Sequence, residues 1–143
     1  MILVVGYGNP LRGDDRLGLY VVERLEEHNI PDLQTRCYQQ LQLELLEEIL
    51  NFQKVILVDA GNGPEDLLIQ KIEPAAGKHL VSSHHLNPHV LSELAKVLYK
   101  KELNLYLCSI RGECFELGET LSAPALKNAD QALTKILMLL KEK

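Results

Sequence analysis

The sequence predicts an α/β fold, a single three-layer αβα sandwich whose mainly parallel sheet has about five strands. Three observations carry that expectation. Two short apolar runs, residues 2–5 (ILVV) and 55–58 (VILV), are each closed by a turn-forming Gly or Asp-Ala-Gly, the pattern of buried parallel strands. Stretches with helical spacing of apolar residues alternate with such runs along the chain. A length of 143 residues at 46% hydrophobic content suits one domain with a proper core, so residues 1–143 are expected to form a single unit.

After the first strand, Leu17, Gly18, Val21, Val22 and Leu25 keep helical spacing. Residues 33–38 (LQTRCY) read as a second strand, and Leu43, Leu46 and Leu50 as a second helix before Lys54. These two helices serve as crossovers between parallel strands. Residues 67–72 (LLIQKI) follow a turn over residues 61–64 and read as a further strand. Pro88 opens a helix with Val90, Leu91, Leu94, Val97 and Leu98 on one side, which hands over to a last strand near residues 103–110. Ser122 reads as the N-cap of the closing helix, with Pro124 in its first turn and Leu126, Ala129, Leu133, Leu137 and Leu140 on one stripe.

Charge and composition exclude several classes. Twenty acidic residues against 15 basic ones give a net charge of -5, without the stripe of Lys and Arg that nucleic acid requires. No run of roughly 18 apolar residues is present to span a membrane, and the N-terminus has no basic leader, so a cytoplasmic protein is expected. Cys37, Cys108 and Cys114 are odd in number and lack a C-x-x-C spacing, which fits reduced thiols; Cys108, within LNLYLCSI, is expected in the core.

Three segments carry polar chemistry. The first is the loop Gly6-Tyr7-Gly8-Asn9-Pro10-Leu11-Arg12-Gly13-Asp14-Asp15, placed between a strand and a helix. Pro10 lacks an N–H donor and two carboxylates stand at the helix mouth, so a phosphate is repelled and a cation or peptide is favoured. As a bland alternative, one of the two acids caps the helix while the other is solvated; otherwise two adjacent carboxylates leave one free for other work. The second segment is Asp59, which ends the VILV strand at the sheet edge expected to hold the first loop; as a bland alternative it turns the chain. The third is Ser82-Ser83-His84-His85-Leu86-Asn87-Pro88-His89, three histidines in six residues before a helix. One imidazole and two carboxylates make an open mixed nitrogen and oxygen site fit for nickel, iron, manganese or zinc. No G-x-S-x-G elbow supports a serine nucleophile.

The loop GYGNPLRGDDRLG, the strand end VILVDAGNG, the stretch SSHHLNP and the late LGETLSAPAL occur in an order and spacing that resembles the hydrogenase maturation endopeptidases. The resemblance covers nearly the whole chain. It implies an enzyme that recognises a hydrogenase large-subunit precursor once nickel is in place and then removes a C-terminal extension. It also implies metal contacts from Asp15, Asp59 and His84, with His85 as the adjacent substitute, and catalytic roles for Asp15 and Asp59. Asp15 is preferred over Asp14 because the second acid of the pair is the ligand in this family, and Arg16 stands where the family often has glycine. The nickel is expected to arrive with the substrate. A non-catalytic module that inspects a partner's nickel is the alternative reading, and a nucleotide-binding domain, resting on the glycine loop alone, is a third.

Overall fold

The computed structural model describes residues 1–74, 87–118 and 120–141, and its core is one five-stranded sheet. The strands are β1 (Ile2–Tyr7), β2 (Leu33–Tyr38), β3 (Lys54–Gly61), β4 (Leu67–Lys71) and β5 (Leu105–Arg111). The described helices are α1 (Leu17–Glu26), α2 (Leu45–Ile49), α3 (Pro88–Tyr99) and α4 (Ala123–Lys141), with a 3₁₀ turn at Gly13–Arg16. In space the strands run β2-β1-β3-β5-β4, all parallel except β4, which pairs antiparallel with β5.

Alternation along β1 and β3 divides the core. Val4, Ile56 and Val58 face α1 and α4, where they meet Leu17, Val21, Leu25, Ala129 and Ile136. Leu3, Val5, Val55 and Leu57 face the other way, onto Leu45, Leu46 and Ile49 of α2 and Leu91 and Ala95 of α3. Both faces are therefore covered, which is why the central strands read as unbroken apolar runs rather than as alternating ones. Burying each of the Val, Leu and Ile side chains stabilises the fold by roughly 1.5–3 kcal/mol before conformational entropy is charged.

Local signals account for most element ends. The Asn87 side chain accepts from the Val90 N–H at 3.0 Å and Pro88 takes the first helical position, so α3 starts as expected. Ser122 Oγ accepts from the Ala125 N–H at 3.3 Å, which makes it the expected N-cap of α4. Cys108 is fully buried, and burial pushes its thiol up to about 12.

Three helix faces differ from expectation. Leu43 lies outside α2 and is 54% exposed, because the helix is little more than one turn and turns Leu45, Leu46 and Ile49 inward. Val97 and Leu98 point to solvent at the end of α3, while Ser92 and Ala95 take inward positions beside Val90 and Leu91. On α4, Ala125, Ala129, Ala132 and Ile136 form the buried line and Leu126 is exposed. Lys54, also unexpected, is buried and donates from Nζ to the Leu139 carbonyl at 3.2 Å, which satisfies an end carbonyl of α4. Among the described residues no helix is long and apolar enough to cross a membrane.

Candidate active site

The strand order sets where a site can form. From β1 the chain goes on to α1 and to β2 on one side of β1, whereas β3 lies on the other side of β1 and the chain passes from it to β4, beyond β5. Loops leaving β1 and β3 thus diverge, and the crevice between their carboxyl ends is the topological switch point where open α/β sheets bind ligands. Gly6 is in register with Val58, so Tyr7 and Asp59 stand side by side at that edge.

Asp59 lies within β3, paired in register with Ser109, so it does not turn the chain. Its carboxyl is raised from 3.8 to about 7, first by burial and further by the negative charge of Asp15; the Ala60 N–H and the Tyr7 hydroxyl, which both donate to it, pull the other way. Tyr7 feels the same neighbourhood, since burial and the adjacent Asp59 push its phenol well above its ordinary value. Asp15 is half-buried, and its Oδ2 accepts from the Asn9 N–H at 2.7 Å, which folds the glycine loop back over the carboxylate. Gly8 has φ +147° and the Asp15 carbonyl packs against it, so a side chain at position 8 would open this loop.

The structure separates the two adjacent acids. Asp14 is completely buried and accepts four hydrogen bonds: from the Glu113 N–H at 2.7 Å, the Cys114 N–H at 2.9 Å, the Ser122 N–H at 2.8 Å and the Ser122 hydroxyl at 2.7 Å. Burial raises its carboxyl, but these donors together outweigh burial and hold it below its ordinary value. The alternative in which one acid caps the first helix while the other is solvated does not hold. No side chain caps α1, and neither acid is simply solvated, because backbone donors from two different loops reach them first.

Of the expected metal contacts, Asp15 and Asp59 come together at the crevice, while Ser82, Ser83, His84 and His85 lie outside the described residues. His89 is described and sits in α3, with Nδ1 2.9 Å from the Glu73 carbonyl, which occupies that nitrogen. Among the described residues no group of three His, Cys, Asp or Glu side chains could hold a metal. The two carboxylates nonetheless fit a cation chemically: they are hard oxygen donors whose mutual repulsion a positive charge would relieve. Sequence reasoning missed Tyr7. Its place in G-Y-G marks it as loop, and only the β1–β3 register puts it beside Asp59.

No family model matches the chain. A Methanocaldococcus jannaschii protein assigned to the hydrogenase maturation proteases is 30% identical over 151 residues, covering 95% of this chain and 94% of its own. The chain belongs to the hydrogenase maturation protease family. Solved structures agree: the nickel-iron hydrogenase maturation protease HycI from Thermococcus kodakarensis superposes with a TM-score of 0.75 at 26% identity, over 99% of this chain and 92% of that one. An Escherichia coli endopeptidase gives a TM-score of 0.72 at 27% identity, over 98% and 91%. The protease therefore shares its α/β architecture with these enzymes across nearly its full length.

Proposed function

We propose that the protease removes the C-terminal extension of a nickel-loaded nickel-iron hydrogenase large-subunit precursor, with residues 1–143 acting as one domain. The observation that carries this reading is the meeting of Asp15 and Asp59, two half-buried carboxylates, at the switch-point crevice of a maturation-protease fold. In this reading Asp15, Asp59 and His84, with His85 as substitute, touch the nickel that the precursor already holds. The metal thus belongs to the substrate, and its charge is what the two carboxylates recognise.

Asp59 supports both recognition and turnover. A carboxyl near 7 is divided between its protonated and ionised forms at neutral pH, the state suited to exchanging a proton with attacking water or leaving amine. A nearby cation favours the ionised form, so docking of a nickel-loaded precursor releases a proton from this site. The three cysteines are free, which supports a reducing, cytoplasmic setting.

The test is to incubate the protein with a large-subunit precursor, with and without nickel, and follow the precursor's mass. Loss of a C-terminal peptide from the nickel-loaded form alone, abolished by Asp15→Asn, is the expected result. Tight binding of the nickel-loaded form without any change in its mass would make the protein a nickel-inspecting module instead.

A further inference from the structure

We propose that Asp14 is a positioning residue of this protease, which sets the place of Asp15 by fastening the loop after β1 to the loop after β5. The proposal rests on the reading of Asp15 as a working carboxylate. Its geometry is independent of that reading.

All four donors to Asp14 come from residues about a hundred positions further along the chain, at Glu113, Cys114 and Ser122. The backbone repeats the connection. The Asp14 N–H donates to the Cys114 carbonyl at 2.7 Å, the Gly13 N–H to the Gly118 carbonyl at 2.8 Å and the Gly118 N–H to the Leu11 carbonyl at 2.8 Å. Gly13 has φ +53°, and a Cβ there would lie 2.5 Å from the Cys114 carbonyl oxygen, so the two loops meet without space for a side chain. Ser122 Oγ also accepts from the Ala125 N–H, which ties the first turn of α4 into the same junction.

An apolar side chain at position 14 would join the loops with less desolvation, but it would not fix their register. Each N–H and O–H that reaches a carboxylate is directional, so four of them define a position as well as a contact. The next residue is Asp15. Its own loop holds it through the Asn9 N–H and through the bond from its N–H to the Arg12 carbonyl at 3.0 Å. Asp14 supplies the other anchor, on the side facing the body of the protein. A carboxylate displaced by about 1 Å can cost about 100-fold in rate, so this anchoring matters for turnover.

The test uses the full-length protein. The Asn9 amide donates to Asp15 and is remote in sequence from the donors to Asp14, so its NMR resonance reports the placement of Asp15. In Asp14→Asn the Asn9 amide resonance is expected to shift along with those of Glu113, Cys114 and Ser122. Turnover of nickel-loaded precursor is expected to fall about 10-fold to 100-fold at a temperature where the variant is fully folded. Ser122→Ala removes one donor and gives the same pattern at smaller amplitude, which keeps the test available should Asp14→Asn fail to fold. Shifts confined to residues 113–122, with the Asn9 amide and turnover unchanged, would reduce Asp14 to a staple of the C-terminal loop and overturn the proposal. Wild-type processing by Asp15→Asn would instead overturn the reading of Asp15 beneath it, and the positioning role with it.

Discussion

Asp14 and Asp59 are carboxylates withdrawn from water at the same end of the sheet, yet burial leaves them in opposite states. Asp14, in the junction between two loops, is fully enclosed and receives four donors, which hold its carboxyl below 3.8. Asp59, at the mouth of the crevice, has the Ala60 N–H and the Tyr7 hydroxyl against the charge of Asp15, and its carboxyl climbs to about 7. Burial alone therefore does not decide the charge of an acid here; the donors and charges around it do. A carboxylate with all its lone pairs engaged serves structure. One left short of donors beside a like charge is suited to receive a cation or a proton.

The contrast predicts a set of responses of decreasing size. The largest is expected from Asp59→Asn, which should lower processing by at least about 100-fold, the usual contribution of a proton-transferring side chain. The same variant should gain stability relative to wild type between pH 5 and pH 8 in urea titrations, because it removes a group that resists ionisation. Loss of stability in that variant as pH rises would place Asp59 with Asp14 as a structural acid.

Next in size is the pH dependence of wild-type stability. Asp59 holds its proton more tightly folded than unfolded, so its contribution is fully present below 3.8 and is lost as pH rises through about 7. Asp14 has the opposite sign: its contribution is present above 3.8 and is lost as pH falls through its lowered folded value. Denaturant midpoints measured across pH in wild type and in Asp14→Asn should therefore separate an acidic limb that depends on Asp14 from a limb near pH 7 that does not.

The smallest effect is expected from Tyr7→Phe, which keeps the ring and removes one hydrogen bond, at a cost of about 1 kcal/mol at pH 8. Because the lost donor favours the ionised form of Asp59, the variant's pH–rate profile should shift to higher pH. An unmoved profile would remove Tyr7 from the account of why Asp59 sits near 7.

Much of this was legible in the chain itself. The apolar runs at 2–5 and 55–58, the helical spacing of Leu17, Val21 and Leu25, the helix start at Pro88 and the cap Ser122 are local signals, and the structure realises each of them. The nearness of Asp15 and Asp59 was also within reach, because Asp15 lies in the loop after β1 and Asp59 near the end of β3, and the carboxyl ends of parallel strands lie together. The outward turn of Leu43, Val97 and Leu98 was not, since helical spacing marks a face without saying which small residues the neighbouring strands will admit.

Sequence by itself determined the element types, their order, the parallel core and the residues able to carry charge chemistry, because these follow from periodicity and side-chain type within a few residues. Tertiary structure alone decided what each acid became. Asp14 finds its donors about a hundred residues away, and Asp59 finds Tyr7 and Asp15 only through the β1–β3 pairing. Ionisation depends on burial and on the donors and charges close in space, and neither is a property of neighbours along the chain.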